Sequence, residues 1–506
     1  MEKTFQICYT SDTHGHIFPV NYAANRPEDS GLLNMATRVE KDGNTLVLDG
    51  GDSLQGTPLT QYYLEQRQEW PVHPVAAAFN AMGLDYFTLG NHDFNFGYEA
   101  LRDYLHAMDG SCLCANVEDL GRELPIRPWT VHTLANGLRV GLTGVVTDFV
   151  NIWEQPQNLE RLRITDAFQA ARAACAALKP VCDVCVCIYH GGFEEDLETG
   201  RVLSASGENI ACRIARELDF DLLLTGHQHM AVEGLMLAGT YAVQPPANAG
   251  QYLCLSGQWD GRVSRFRSKL KPVGGRHPTE PYQMLLPLEE SVQKWLDLPI
   301  GALWKPIPPE EKLEAALCGS QVAALFNQVQ LEATRADFSC TSLGNDPVGL
   351  TSPVTMRAVT AAYLFANTLV VLEVTEEVLR QTLERCAAYF TLADGRPQIS
   401  EEFLLPKVEH YNYDFYSGLA YTFDLRRPLG SRVVRLDRLD GSPLGKGPFR
   451  LCTSNYRATG TGGYEVLREC PVLWRGSMEM PELTARYIQK NSPIGKLHNS
   501  EMRVIW

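Results

Sequence analysis

The first half of the chain alternates short apolar segments with polar or helical stretches. Ala167–Leu178 has the composition and periodicity of a helix. The apolar segments around it predict buried strands; they read FQICYT, NTLVLDG, DYFTLG, LRVGLTGV, VCVCIYH and FDLLLTG. Strands that alternate with helices are typical of an α/β fold, which we expect from Phe5 to about Leu270.

The second half has a different organisation. Lys271–Pro309 is rich in Pro and charge without a long periodic pattern, and this predicts a linker. Glu310–Arg335 predicts a helix, and Pro353–Trp506 mixes strand and helix patterns. We therefore expect one domain over residues 1–270, a linker over 271–309 and a smaller α+β domain over 310–506.

Composition and charge limit the classes of substrate that the chain could bind. A chain of 506 residues exceeds what one core organises, and its 45% hydrophobic and 21% charged residues are ordinary for a globular protein. The formal net charge of −15 argues against binding polymeric DNA or RNA, which needs clustered Lys and Arg. A small anionic substrate remains compatible if bound metal ions supply local positive charge. Nothing in the sequence indicates a protein partner.

The sequence also bears on location. The first residues enter a predicted strand without the apolar core of a secretory signal, and no apolar run reaches the length of a membrane span. The 14 cysteines fit free thiols in a reducing compartment. We expect a cytoplasmic protein without membrane association.

Groups that bind divalent cations follow successive predicted strands. They occur in SDTHGH, DGGDSLQG, GNHDF, YHGG and GHQH, and glycines flank them. One Asp-x-His or Gly-Asn-His segment alone is more often an ordinary turn. Five such segments after successive strands indicate a metal site, because the carboxyl ends of strands meet at one edge of a sheet.

The order and wording of these segments resemble the calcineurin-like metallophosphoesterases over about the first 260 residues. The resemblance implies a four-layer β-sandwich flanked by helices and two divalent metal ions. It places Asp12, His14, Asp52 and His229 on one ion and Asp52, Asn91, His190 and His227 on the other, so that Asp52 bridges them. This mixed set of oxygen and nitrogen ligands suits Mn, Zn or Fe.

His92 follows Asn91 directly and remains outside the ligand set. Its pKa range suits a general acid that protonates the leaving oxygen. The resemblance implies an Asp three residues later that orients this ring, but this chain has Asn95. An amide still hydrogen-bonds the ring, yet it adds no charge to stabilise an imidazolium.

The second half resembles the carboxyl-terminal domain of the 5′-nucleotidase family, in the segments SPVTMRAVTAAYLFANTLVVLEVT, HYNYDFYSGLAYTFDL and TSNYRATGTGGYEVL. In that family this domain binds the nucleoside and clamps the base between two aromatic rings. The positions that match best are Tyr413 and Tyr464. Tyr411, Phe415 and Tyr416 compete with Tyr413, which is alternatively a packed strand residue.

One departure from the 5′-nucleotidase pattern favours a particular branch. Where the family has a Gly-rich loop with an Arg for the 5′-phosphate, this chain has CTSLGNDPVG, in which Asn345 could contact ribose as a neutral partner. Together with Asn95, this looks closer to the 2′,3′-cyclic-nucleotide 2′-phosphodiesterase branch. We therefore expect hydrolysis of 2′,3′-cyclic nucleotides and 3′-nucleotides.

Two alternatives stay open. The first is a 5′-nucleotidase or nucleotide-sugar hydrolase. The second, from another functional class, is a metal- or nucleotide-binding protein that has lost catalysis. It is disfavoured because His92 and all the inferred ligands are present.

Overall fold

The structure is a computed structural model that describes residues 2–202, 207–261, 264–274, 279–365, 367–404, 408–497 and 500–506. The chain forms two compact units, Met1–Gln293 and Lys294–Trp506. Each unit has its own sheets and hydrophobic core. The predicted two-domain α/β architecture is confirmed.

The strands of the first unit are β1 (Lys3–Thr10), β2 (Val20–Asn21), β3 (Arg26–Pro27), β4 (Thr45–Asp49), β5 (Tyr86–Phe87), β6 (Ser111–Leu113), β7 (Val117–Asp119), β8 (Ile126–Arg127), β9 (Trp129–Thr133), β10 (Arg139–Val146), β11 (Leu162–Ile164), β12 (Val184–His190), β13 (Leu222–Thr225), β14 (Val232–Leu237), β15 (Thr240–Gln244), β16 (Gln251–Trp259) and β17 (Ser264–Pro272). Its helices are α1 (Leu32–Met35), α2 (Pro58–Glu65), α3 (Pro74–Met82), α4 (Gly97–Ala107), α5 (Val150–Trp153), α6 (Ala167–Leu178) and α7 (Ala211–Glu217). All the predicted strands and the predicted helix are present.

Two mixed sheets face each other in this unit. Their strand orders are β17-β16-β1-β4-β5-β6-β8 and β14-β15-β13-β12-β10-β9. One buried cluster takes residues from both sheets, including Ile7, Leu48, Val186 and Leu224, and therefore forms the centre of a sandwich. Helices cover the outer faces: α6 and α7 pack on the second sheet, and Tyr104 of α4 contacts Phe87 of the first.

Strand β12 shows why its sequence is a continuous apolar run. Val184, Val186 and Ile188 belong to the cluster between the sheets, whereas Cys185 and Cys187 belong to the cluster under α6 and α7. A parallel strand that is covered on both faces needs apolar side chains at every position.

The segment expected to be a linker contains regular structure. Helix α8 (Glu280–Asp297) lies within it, and the boundary between the two units falls inside this helix. The expectation of no long periodic pattern in 271–309 was wrong. Leu285, Leu288, Val292 and Leu296 are buried at helical spacing, although Pro287 interrupts the sequence pattern.

The second unit is smaller and has an α+β organisation. Its remaining strands are β18 (Pro299–Gly301), β19 (Phe338–Ser342), β20 (Val354–Thr355), β21 (Thr368–Val374), β22 (Phe390–Ala393), β23 (Arg396–Ile399), β24 (Asp414–Ser417), β25 (Leu419–Asp424), β26 (Val433–Arg438), β27 (Phe449–Ser454), β28 (Val472–Glu479) and β29 (Glu501–Ile505). Its helices are α9 (Lys312–Cys318), α10 (Gln321–Thr334), α11 (Met356–Ala362), α12 (Glu376–Ala387), α13 (Asn455–Ala458), α14 (Glu465–Arg468) and α15 (Met480–Asn491). Its largest sheet has the order β24-β19-β27-β21-β28.

The helix predicted over 310–335 is two helices rather than one. Gly319 ends α9 with φ 92°, and Ser320 caps α10 by accepting a hydrogen bond from the backbone N–H of Ala323. A glycine in the left-handed region followed by an N-cap serine is a stop signal and a start signal in direct succession.

Candidate metal centre

The predicted ligands lie at the carboxyl ends of parallel strands from both sheets. Asp12 and His14 follow β1, Asp52 follows β4 and Asn91 follows β5 in the first sheet. His190 ends β12 and His227 follows β13 in the second. Strand order and direction thus bring together side chains that are more than 200 residues apart in the sequence.

A first group contains Asp12, His14 and His229, whose ligand atoms lie within 4.8 Å of one another. The Nε2 atoms of His14 and His229 are 3.0 Å apart, and His229 Nε2 lies 3.4 Å from an Asp12 carboxylate oxygen. His14 Nδ1 hydrogen-bonds the carbonyl of Gln55 at 3.0 Å, which leaves Nε2 as the ring nitrogen that faces the group.

A second group contains Asp52, His190 and His227, again within 4.8 Å. His190 Nε2 lies 3.3 Å from Asp52 Oδ2 and 3.2 Å from the side-chain oxygen of Asn91. The other nitrogen of His190 bonds the carbonyl of Gly50 at 2.7 Å. The donor sets are one carboxylate with two imidazoles in each group, plus the Asn91 amide in the second, and such sets fit divalent transition-metal ions.

Backbone strain concentrates at these positions. The predicted ligands with positive φ are Asp12 (54°), His14 (48°), Asp52 (59°), His227 (70°) and His229 (56°). A residue with a side chain rarely adopts this region, and the cost is of order 1–3 kcal/mol each. Such strain persists where the fold over-determines the backbone, as at functional sites.

Asp93 joins two of the ligand loops, and the sequence analysis overlooked it. Its buried carboxylate accepts the backbone N–H groups of Asp52 (2.9 Å), Ser53 (2.8 Å), Leu54 (3.0 Å) and Gly90 (2.8 Å). The segment carrying Asp52 is thereby held against the segment carrying Asn91 and His92. Its position directly after Gly-Asn-His was the signal that could have identified it.

Gly90 is required at the same contact. A Cβ atom built there would meet Asp52 Oδ1 at 2.1 Å and the Asp52 backbone nitrogen at 2.3 Å. The Gly of Gly-Asn-His therefore permits a close approach of the two loops.

The protein groups strongly perturb one another's protonation. Burial opposes the charge on Asp52, but His190 and His92 outweigh it and hold the pKa of Asp52 well below its usual range. Burial likewise acts to lower the pKa of His190, but the Asp52 and Asp12 carboxylates outweigh it and raise the pKa to about 10. Burial lowers the pKa of His14 to about 4, so this ring is neutral at pH 7. A cation bound to His190 would displace the extra proton from this ring, since imidazole ligates in its neutral form.

His92 and Asn95 lie beside the second group. The backbone N–H of His92 donates to Asp52 Oδ1 at 2.7 Å, and the Asn95 side-chain nitrogen lies 3.1 Å from His92 Nδ1 and 2.9 Å from the Gln55 side-chain oxygen. Burial lowers the pKa of His92, although Asp52 opposes that change. With the amide donating to Nδ1, the single proton of a neutral His92 lies on Nε2.

Tyr464 is not exposed, and the expectation that its ring clamps a base is wrong for this structure. It is 1% exposed, its hydroxyl donates to the carbonyl of Asn412 at 3.1 Å, and the Arg457 guanidinium lies 4.1 Å from its ring centroid. The Gly-rich loop before it turns the ring into the core.

The expectation that the ring of Tyr413 clamps a base is wrong for the same reason. Tyr413 is 2% exposed, its hydroxyl donates to the carbonyl of Ala316 at 3.0 Å, and the rings of Tyr389 and Phe415 lie 4.9 and 5.0 Å away. The alternative that Tyr413 is a packed residue describes it correctly.

Asn345 is engaged by a neighbouring loop rather than presented to a ligand. Its amide nitrogen donates to the carbonyl of Val408 at 2.8 Å, and its oxygen accepts the backbone N–H of His410 at 3.0 Å. The proposed ribose contact is therefore replaced by a structural role.

Other aromatic rings in the second unit are accessible. Tyr456 is 39% exposed, Tyr411 and Phe365 are partly buried, and the Phe365 and Tyr411 centroids lie 6.1 Å apart. Sequence reasoning considered Tyr411 but missed Tyr456, which precedes Arg457 in the matched segment.

Comparisons with known proteins agree with this architecture. Residues 5–231 match the family described as calcineurin-like phosphoesterase, and residues 310–469 match the 5′-nucleotidase C-terminal domain. The chain is 26% identical over 573 residues to a 2′,3′-cyclic-nucleotide 2′-phosphodiesterase/3′-nucleotidase of Haemophilus influenzae, covering 96% of this chain and 84% of that protein.

Two further matches extend the comparison. The chain is 23% identical over 563 residues to the trifunctional nucleotide phosphoesterase protein YfkN of Bacillus subtilis; the match covers 95% of this chain but 37% of YfkN, so the chain spans little more than a third of that protein. A crystal structure of a provisionally assigned 5′-nucleotidase from Staphylococcus aureus, in complex with α-ketoglutarate, is 29% identical, with a TM-score of 0.86 and full coverage of both chains.

Among the residues that the structure describes, no helix combines the length and apolar character that crossing a membrane requires. The cytoplasmic location stays a prediction.

Proposed function

The chain belongs to the phosphoesterases that join a calcineurin-like phosphoesterase domain to a 5′-nucleotidase C-terminal domain, and on that premise we propose that it prefers 2′,3′-cyclic nucleotides and 3′-nucleotides as substrates. The reaction opens the cyclic phosphodiester and then removes the remaining 3′-phosphate. The substrate is a small molecule, in keeping with the net charge of −15.

The two groups of ligands would hold two divalent cations, Mn, Zn or Fe. When bound, two such cations would lower the pKa of an attacking water and neutralise charge on the phosphoryl oxygens. Asp52 would be the ligand shared by both groups: its carboxylate lies 3.3 Å from His190 Nε2, accepts the backbone N–H of His92 at 2.7 Å, and its charge acts on His14 of the first group. The full sets are Asp12, His14, Asp52 and His229 for the first cation, and Asp52, Asn91, His190 and His227 for the second.

His92 acts as the general acid. Its Nε2–H donates a proton to the leaving ribose oxygen, which is a poor leaving group without protonation. Asn95 holds the ring through Nδ1 and thereby fixes which nitrogen carries that proton. Asn95 is itself held by Asn158, which donates to its backbone carbonyl at 3.0 Å.

The preference for a cyclic or 3′-phosphate rests on one observation: Arg457 and Arg357, two arginines of the second unit, are already paired with carboxylates. Arg457 is 2% exposed and makes bonds of 2.8 and 2.9 Å to Asp414, and Arg357 lies 2.6 Å from Asp297. A charge-assisted hydrogen bond contributes about 1.5–3 kcal/mol. Without one, the affinity for a 5′-monophosphate is roughly ten- to a hundredfold lower.

The second unit recognises the nucleoside through its accessible rings. Tyr456 and Tyr411 take the role first expected of Tyr464 and Tyr413. Stacking a base on an aromatic ring contributes roughly 1–3 kcal/mol and tolerates different bases. The names of the Haemophilus and Bacillus relatives support nucleotides as the substrate class.

A second candidate is a 5′-nucleotidase. The Staphylococcus aureus structure favours it, because it matches the whole chain and carries that assignment. The two candidates share the metal groups and His92 and differ in how the phosphate is presented.

Steady-state kinetics separate them. The Mn²⁺-loaded protein should hydrolyse 2′,3′-cyclic AMP and 3′-AMP with kcat/KM at least about tenfold above that for 5′-AMP. The Asp52→Asn variant, assayed in parallel, accounts for any contaminating phosphatase. A clear preference for 5′-AMP would refute the proposal and establish the second candidate.

A further inference from the structure

Three of the histidines in the two groups are each anchored through one ring nitrogen. In His14 and His190 the anchored atom is Nδ1, and the partner is a backbone carbonyl, Gln55 at 3.0 Å and Gly50 at 2.7 Å. An imidazole that donates through one nitrogen presents the lone pair of the other to a metal. Both rings therefore turn Nε2 toward the ligand groups.

His227 is anchored in the opposite sense. Its Nε2 lies 3.0 Å from a carboxylate oxygen of Glu208, which leaves Nδ1 as the nitrogen for a cation. The indole of Trp153 stacks on this ring, with centroids 5.4 Å apart and planes inclined by 22°. Trp153 thus sets the plane of the imidazole, and Glu208 sets its rotation within that plane.

The backbone of Glu208 is itself fixed beside the strands that carry the site. Its carbonyl accepts hydrogen bonds from the hydroxyls of Thr147 at 2.9 Å and Tyr189 at 3.2 Å. Tyr189 directly precedes the ligand His190, so Glu208 is tied to the same strand end. Its side chain is 30% exposed, which places a carboxylate at the solvent side of His227.

We propose that Glu208 is a positioning residue that holds His227 Nε2–H, so that Nδ1 completes the second metal site. The proposal rests on the function proposed above, because it presumes a cation between Asp52, His190 and His227. Gln55 and Gly50 supply neutral carbonyls to the other two rings, whereas Glu208 supplies a negative charge. The second site should therefore depend on Glu208 for affinity, and the first should not.

The magnitude follows from other metal sites. Removing an outer partner of a ligating histidine typically weakens metal binding by 10- to 100-fold. Glu208→Gln keeps an acceptor oxygen and loses the charge, whereas Glu208→Ala loses both. We expect the affinity of the second site to fall in the order wild type, Glu208→Gln, Glu208→Ala.

The test is a metal titration of the full-length chain. Protein stripped of metal is titrated with Mn²⁺ against a competing chelator, and bound metal per chain is measured. Wild type should bind two ions; Glu208→Ala should keep one with unchanged affinity and bind the other roughly 10- to 100-fold more weakly. Glu198→Gln is the matched control, since Glu198 is an exposed acid in the same connection between β12 and α7.

A second measurement separates misfolding from the proposed role. Thermal unfolding of each variant without metal should match wild type, because the Glu208 side chain is partly exposed and the variants keep its backbone carbonyl, which accepts from Thr147 and Tyr189. Equal affinities in wild type and Glu208→Ala would overturn this inference alone. A wild-type chain that binds no Mn²⁺ would overturn the proposed function as well.

Discussion

The Nε2 atoms of His14 and His229 lie 3.0 Å apart, although the two residues are 215 positions apart in the sequence. Two ring nitrogens with their lone pairs facing would repel, so a shared proton or a cation must hold them together. The Asp12 carboxylate, 3.4 Å from His229 Nε2, points at the same place. This convergence supports the proposed first metal position.

Asp52→Asn should abolish turnover and lower bound metal at both positions, because Asp52 is the proposed shared ligand. Asp12→Asn should lose metal mainly at the first position. Elemental analysis of both variants, purified in parallel, measures this. Full metal content with normal activity in Asp52→Asn would remove the bridge and with it the division of the remaining ligands.

His92→Ala should retain both metals and lose about 10²- to 10⁴-fold in kcat on nucleotides, since general acid catalysis contributes that much. The loss should be smallest for an aryl phosphodiester, because a phenolate leaves with little protonation. The measurement is the ratio of kcat values for the two substrates in variant and wild type. An equal loss on both would assign His92 to a role other than protonation.

Tyr456→Ala should raise KM for nucleotides roughly 5- to 100-fold, as expected from 1–3 kcal/mol of base stacking, and spare a small aryl phosphodiester. Tyr464→Phe serves as the control, because it removes a buried hydroxyl bonded to Asn412. That variant should lower the melting temperature and leave KM unchanged. A larger KM effect from Tyr464→Phe than from Tyr456→Ala would contradict the assignment.

Asp414→Ala should destabilise the second unit by about 3–5 kcal/mol, because it leaves the Arg457 guanidinium buried without its partner. Both side chains of this pair are 2% exposed. Glu332→Ala breaks the pair with Lys490, whose side chain is 70% exposed, and should have a much smaller effect. Urea unfolding compares the two variants, and similar losses would show that burial does not set the strength of the Asp414 pair.

The side chains of the two candidate metal groups could be placed from sequence because their motifs are local and follow strands that the sequence pattern predicts. Asp12, Asn91 and His227 each stand within a few residues of a buried strand end, so strand order alone brings them together. Asp93 and Glu208 act through contacts between separate loops. The position of Asp93 directly after Gly-Asn-His was a usable signal, whereas a single acid such as Glu208 carries no periodicity that pairs it with His227.

The second unit shows where residue type fails as a guide. Tyr413, Tyr456 and Tyr464 all lie in segments that resemble the 5′-nucleotidase C-terminal domain, yet two are buried and one is exposed. Whether a ring points into the core or toward solvent depends on the backbone conformation of its loop. Gly460, Gly462 and Gly463 adopt positive φ just before Tyr464. Helix α8 was missed for a related reason, since Pro287 and the charged residues obscured a buried Leu and Val stripe.

Asp93 has a consequence for how the first unit tolerates change. The Asp93 carboxylate accepts the peptide N–H groups of residues 52–54 and of Gly90, so hydrogen bonds hold together the two ends of the intervening excursion through α2 and α3. We expect this excursion to accept insertions, deletions or a grafted segment at its outer turn without shifting Asp52 from Asn91. The outer turn of this excursion is therefore the place where the sequence can be changed while the distance between Asp52 and Asn91 is kept.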